Sequence, residues 1–390
     1  MTILPVVAYN LSMRYIYLDH AAGTPCDPRA LEAMRPYFFE QSGNASSPHK
    51  QGRQARKALE EARETTAAII GALPGEIIFT SGASESNNHA IFLMARTLRD
   101  KGRHIIASAI EHHSVLEPLH QLEQDGFQVT YVKPRGNGII AYEDILSVLR
   151  SETILVCLAH ANNEIGTLQP VEEVGRLCRE QSIHFLVDAT QTIGHIPVNV
   201  KNIPCDLLSL SAHKIYGPQG VGALYIRGGN CPAFILGGDQ ERGRRAGTHN
   251  ITGIVGLSEA IKICQEQMIE ESSRETVLRD RIIDFVLREI PSAVLNGNRE
   301  KRLPNNAHFS FADINGEELV SVLDLAGIAV SMGSACTWGQ LEPSHVLKAI
   351  GLTDQMSLGS LRVTPGRWTT DDDITYFLEQ LKLKVEKLRR

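Results

Sequence analysis

Thr153-Ile154-Leu155-Val156-Cys157-Leu158, then the amphipathic stretch Val171 to Gln181, then His184-Phe185-Leu186-Val187-Asp188: this passage decides the fold class. The two flanking runs are almost continuously apolar and too short for helices, the pattern of strands covered on both faces. Strand, helix, strand in so short a span is the βαβ unit of a parallel sheet. Outward from it, further strand candidates are Glu76 to Thr80, His104 to Ala107, Gln128 to Val132, Asp206 to Ser211 and Gly222 to Ile226, with helical patterns such as Glu85 to Arg99 between them. The expectation is an α/β chain with a mostly parallel seven-stranded sheet. After about Thr252 a long helical stretch runs to roughly Glu289, and a second α+β region follows from Val294. This change predicts a large domain over 15–262 and a smaller one formed by 1–14 and 263–390.

The 390 residues are 43% hydrophobic and 22% charged, which suits a large globular core and excludes a disordered or fibrous chain. A net charge of −6 gives no general pull toward nucleic acid or an anionic membrane, so direct nucleic-acid binding is not expected. No apolar run reaches the length of a membrane span, and Met1 to Tyr9 lacks the basic start and cleavage site of a secretion signal. A cytoplasmic protein is expected. The seven cysteines, Cys26, Cys157, Cys178, Cys205, Cys231, Cys264 and Cys336, are odd in number and contain no Cys-x-x-Cys pair, which fits neither a disulfide framework nor a zinc knuckle.

In parallel sheets ligands bind at the carboxyl ends of strands, and several of these strands end in polar clusters. Phe79-Thr80-Ser81-Gly82-Ala83-Ser84-Glu85 reads either as a plain helix cap or as a turn that lets backbone N–H groups approach a phosphate. Glu111-His112-His113 offers a flat imidazole able to stack on a cofactor ring, or merely structural histidines. Ala161-Asn162-Asn163-Glu164-Ile165-Gly166 reads as a turn. Asp188 closes an apolar strand, where a carboxylate needs a partner and a ligand-facing place suits it. In Ser209-Leu210-Ser211-Ala212-His213-Lys214, a lysine after a strand among small polar residues could form an imine, or be an ordinary solvated amine. The glycines of Gly217-Pro218-Gln219-Gly220-Val221-Gly222 lead into a strand, not a helix, which rules out a dinucleotide fingerprint. Gly237 to Thr248 is a long Gly/Arg loop of functional or interface type. Cys336, in Ser331-Met332-Gly333-Ser334-Ala335-Cys336, has the small-residue setting of an exposed, reactive thiol. Together, a phosphate turn, a stacking His, an acid, an imine-forming Lys and a reactive Cys describe a pyridoxal phosphate enzyme with a nucleophilic thiol.

Motifs in order along the chain are Tyr17-Leu18-Asp19, Gly43-Asn44-Ala45-Ser46-Ser47, Phe79-Thr80-Ser81-Gly82, Glu111-His112-His113, Asn162-Asn163-Glu164-Ile165-Gly166, Ser211-Ala212-His213-Lys214, Arg245-Ala246-Gly247-Thr248, Gly333-Ser334-Ala335-Cys336 and Pro343-Ser344-His345-Val346-Leu347. With them the chain resembles the NifS/IscS-like cysteine desulfurases, in the class V aminotransferase family of pyridoxal phosphate (PLP) fold type I. The resemblance implies that Lys214 holds pyridoxal 5'-phosphate as an imine, that His112 stacks on the ring and assists proton transfer, and that Asp188 keeps the ring nitrogen protonated. It places Gln191 on the phenolic oxygen and Ala83, Ser84, Ser211 and His213 on the phosphate, with Thr248 reaching in from the second subunit of a homodimer. Asn163 and Arg362 would bind the carboxylate of L-cysteine. L-Alanine would leave, and the sulfur would pass to Cys336 as a persulfide and then to an acceptor protein, for iron–sulfur assembly or another thiolation pathway. No resident metal is implied, although Cys336 could ligate a transient cluster.

Departures from the family pattern are Asp19-His20-Ala21-Ala22-Gly23, Met332, Trp338 and Thr364-Pro365-Gly366. The end at Arg390, without the extension by which housekeeping members dock an iron–sulfur scaffold, leaves a specialised scaffold, a tRNA-thiolation protein or a DNA-phosphorothioation system as acceptors. The alternatives are a selenocysteine lyase or other class V enzyme, and an inactive scaffold that kept the fold.

Overall fold

The computed structural model describes residues 15–333 and 343–390. Seven strands, β2 (Ile77–Thr80), β3 (His104–Ser108), β4 (Gln128–Val132), β5 (Thr153–Ala159), β6 (His184–Asp188), β7 (Leu207–Ser211) and β8 (Gly222–Ile226), form one sheet behind a short first strand, β1 (Ile16–Tyr17). Their order is β2-β8-β7-β6-β5-β3-β4. Only β8 runs against the rest, pairing antiparallel with β2 and β7. Each strand expected from the sequence is present within about a residue of its expected ends.

Alternation along each strand divides the sheet's side chains between two layers. Val156 and Leu158 of β5 join Phe185 and Val187 of β6 in a core covered by Leu59 of the helix Lys50–Ile69 and by Leu257 and Ile261. Leu155 and Cys157 face the other way, toward Ile91 and Met94 of the helix Ala83–Leu98 and toward Leu119. Both faces are thus dry, as the unbroken apolar runs predict.

A second core forms on the antiparallel sheet β12-β10-β9, with β9 (Ala293–Leu295), β10 (Ala307–Phe311) and β12 (Ser360–Val363), under Phe377 and Leu381 of the helix Asp371–Leu388. The 39-residue helix Ile251–Glu289 serves both cores. Ile254, Leu257, Ile261 and Cys264 pack on the first, and Leu278, Ile282 and Val286 on the second. The change of core falls between Cys264 and Leu278, inside a continuous helix. β1 pairs in parallel with β11 (Ile328–Ala329), and Ile16 and Leu18 are buried in the second core.

Two departures from the family pattern touch each other. His20 Nδ1 lies 2.9 Å from the Thr364 carbonyl, the Ala21 N–H donates to Thr364 Oγ1 at 3.0 Å, and a Cβ added at Gly366 would stand 2.4 Å from the His20 ring. The His20 ring takes up the space beside Gly366, and its hydrogen bond to the Thr364 carbonyl ties the two departing segments together. Among the described residues no helix is long and apolar enough to cross a membrane.

Candidate active site

At the carboxyl ends of β5, β6 and β7 lies a cavity of about 480 Å³. It is lined by ten of the residues expected from the sequence: Ala83, Ser84, His112, Asn163, Asp188, Gln191, Ser211, His213, Lys214 and Arg362. Thr248 is exposed on the Gly/Arg loop and does not line this chain's cavity. Cys336 lies outside the described residues.

One end of the cavity is built for an anion. The helix Ala83–Leu98 starts at Gly82, whose φ of +149° only glycine adopts freely, and no side chain caps its first N–H groups. Ser84 lines the space beside them, with Ser211 Oγ hydrogen-bonded to His213 Nδ1 at 2.8 Å. A Cβ at Gly82 would sit 3.6 Å from Ser211 Oγ, in the room left between the two. Glu85 also faces the cavity, but its carboxylate accepts the Ser81 N–H at 2.8 Å and is matched by Arg245, with Nε to Oε1 at 2.8 Å. Its charge is thereby spent on the loop rather than turned against an anion.

The floor carries the acid and the amine. Asp188 Oδ2 accepts from Asn87 Nδ2 at 2.8 Å, and Oδ1 accepts the Thr190 N–H at 2.9 Å. Lys214 Nζ donates to the carbonyls of Ala21 and Ala22, at 2.5 and 2.7 Å. Those carbonyls belong to a loop fixed by the Tyr17 hydroxyl, which donates to the Gly23 carbonyl at 2.8 Å. Gln191 Nε2 donates to the Ala21 carbonyl as well, at 3.1 Å. Burial, then the neighbouring Lys214 charge, brings His213 down to about 4, so its ring is neutral at ordinary pH. Beneath the floor Glu111 is fully buried, with Oε1 accepting the Ala159 N–H and Oε2 without a partner among the described residues. Burial first, and the Asp188 charge after it, push its carboxyl up to about 8, although the Ala159 bond opposes them. A neutral Glu111 adds no negative charge beneath the floor.

The facing wall comes from the second core. Arg362 on β12 donates from Nη2 to Asp19 Oδ1 at 2.9 Å, and from Nη1 to the Asn163 and Gly333 carbonyls, each at 2.8 Å. Its Nε is buried and unpartnered among the described residues. Three segments far apart in sequence thus meet at one guanidinium.

Sequence reasoning missed Asn87 and the Glu85–Arg245 pair, and it gave Ser114 and Thr190 no role of their own beside His112 and Asp188. Asn87 had left a signal: it lies in the buried stripe Asn87, Ala90, Ile91, Met94, where an amide among apolar residues needs partners. Of the other thiols, burial pushes Cys178, Cys205 and Cys264 up to about 12, which leaves them inert. No group of three or more His, Cys, Asp or Glu among the described residues is placed to hold a metal.

The class-V aminotransferase family matches residues 16–377. This chain belongs to that family. It is 51% identical over 377 residues to the cysteine desulfurase IscS of Dictyoglomus turgidum, with 96% of each chain covered. A solved NifS-like protein superposes with a TM-score of 0.90 at 36% identity, covering 96% of this chain and all of the other. A structure of SspA in complex with cysteine gives 0.80 at 35% identity, over 91% of this chain and all of that one. The family is one of pyridoxal phosphate enzymes. The residues present fit that group: an uncapped helix N-terminus with room at Gly82, a buried Thr190 hydroxyl without a partner among the described residues, and an acid and an amine on one floor.

Proposed function

We propose that this chain is a pyridoxal phosphate-dependent cysteine desulfurase that converts L-cysteine to L-alanine and loads the sulfur on Cys336 as a persulfide. The observation that carries the reading is one cavity holding Lys214 and Asp188 on its floor and Arg362 with Asn163 on the facing wall. That arrangement suits an amino acid fixed by its carboxylate above a cofactor fixed by its ring. Relatives named cysteine desulfurase and a neighbour described with cysteine bound support the substrate.

Ala83, Ser84, Ser211 and His213 hold the phosphate, and Thr248 of a second copy completes the cradle in a homodimer. Asp188 holds the ring nitrogen, Gln191 the phenolic oxygen, and His112 stacks on the ring. When bound, the cofactor supplies an electrophilic carbon and a ring that takes up negative charge from the substrate Cα. Lys214 anchors the cofactor and, once freed, moves the proton at the substrate Cα. Asn163 and Arg362 orient the substrate carboxylate. The Cys336 thiolate attacks the substrate sulfur; its S–S bond forms as the substrate C–S bond breaks, and the carbon fragment leaves as alanine after protonation. An acceptor protein, for iron–sulfur assembly or another thiolation, then takes the outer sulfur. The first core with its sheet is the cofactor domain, and the second core is the smaller domain that carries the thiol. The unpaired cysteines suit a reducing cytoplasm.

The test is Cys336→Ala in the cofactor-loaded protein. We expect the visible absorbance to stay and persulfide and sulfide production from L-cysteine to vanish, while full sulfur release by the variant would overturn the reading.

A further inference from the structure

We propose that Asn87 and Ser114 are positioning residues that join Asp188 to His112 and hold the His112 imidazole with its proton on Nε2, so that the ring donates into the cavity and takes no proton there. The hydrogen bonds stand on the geometry alone; what the ring faces rests on the functional reading above.

His112 is the cap of the helix His113–Gln124, and its Nδ1 accepts the Ser114 N–H at 3.0 Å. A backbone N–H can only donate, so Nδ1 carries a lone pair and not a proton. The Ser114 hydroxyl lies 2.8 Å from the same nitrogen. Its direction is set from the other side. Asn87 Nδ2 stands 2.8 Å from Asp188 Oδ2 and 2.9 Å from Ser114 Oγ. The atom facing a carboxylate must be the amide NH2, because a flipped Asn87 would set its oxygen against an Asp188 oxygen. Its two protons go to Asp188 and to Ser114, and the single Ser114 proton is left for His112 Nδ1. Donation therefore runs one way, from Asn87 to Asp188 and from Asn87 through Ser114 to His112.

With two donors aimed at Nδ1, a proton there has no place, whether in the other tautomer or in the imidazolium. Nε2 keeps its hydrogen as the ring's only one. The charged and titratable groups facing the ring are Asp188, Lys214, His113 and His345. Burial first, then Lys214 and the two histidines, lower its affinity for a proton, against the opposing pull of Asp188. His112 in the resting site is therefore a donor to a ligand through Nε2.

The experiment is long-range proton–nitrogen NMR on holoenzyme labelled with 15N-histidine, with His112 assigned by His112→Gln, between about pH 5 and 9. A pyrrole-like Nε2 and a pyridine-like Nδ1, unchanged across neutral pH, are expected. A proton on Nδ1, or a titration near neutrality, would overturn the tautomer. Ser114→Ala and Asn87→Asp each remove the hydroxyl's donation and should raise the His112 midpoint by about one unit, and Ser114→Thr should restore it. Identical His112 signals in wild type and both variants would overturn the relay. A locked ring in a chain without desulfurase activity would uphold this inference and overturn the functional reading.

Discussion

The floor of the cavity and its facing wall are made in opposite ways. On the floor, Asp188 ends β6 and Lys214 follows β7 directly, each delivered by a strand whose burial the local sequence dictates. On the wall, Arg362 is correct only when Asp19, Asn163 and Gly333 arrive from three other places. The floor is where reacting groups must be rigid, and short links from sheet to side chain provide that. The wall is where a substrate must be recognised, and a guanidinium held by two backbone carbonyls and one carboxylate keeps its two remaining N–H groups, the second on Nη2 and that on Nε, in fixed directions.

Three variants separate the two regions. Lys214→Ala on the floor should have the largest effect: turnover lower by about 10²–10⁴-fold and no cofactor fixed by borohydride reduction. Retained borohydride fixation would break the assignment of the floor. Arg362→Gln on the wall should raise KM for L-cysteine by about 10–100-fold, the cost of a lost charged hydrogen bond, with the visible absorbance intact. Loss of the cofactor instead would mean that wall and floor are one unit. Glu111→Gln should change activity least and appear in stability against pH. With its folded carboxyl raised to about 8 from an ordinary value near 4.5, the native state binds the proton more tightly than the unfolded chain. The wild type should therefore lose stability as pH rises from about 4.5 to 8, and the glutamine variant, which keeps an acceptor for the Ala159 N–H, should lose less in chemical denaturation. Equal slopes would show that Glu111 is ionised in the fold.

The same division explains what the sequence made legible. Strands buried on both faces announce themselves as apolar runs, so the sheet and the residues at its ends could be read directly. The wall could be assigned only through family resemblance, because nothing near Arg362 points to Asp19, 343 residues away. Asn87 was hidden for another reason: a helix stripe shows that a residue is inside, not which partner meets it there. The place where the long helix changes core is a further case. The buried stripe through Ile254, Leu257, Ile261 and Cys264 stops there, none of residues 265–274 is buried, and burial resumes at Glu275, Leu278, Ile282 and Val286, most of it over a different core. Periodicity records a covered face and is silent about the cover.

The pairing of β1 with β11 also sets an order of events during synthesis. Ile16 leaves the ribosome early, yet its partner Ile328 follows more than three hundred residues later. Contacts so distant in sequence form last. A nascent chain can complete the seven-stranded sheet, with the loop that holds Lys214 already tied to it by Thr24 and Asp27 against His213 and Tyr216, and still lack Arg362. The wall is thus complete only when translation is nearly finished, and a truncated product would carry the floor of the site without the guanidinium that faces it.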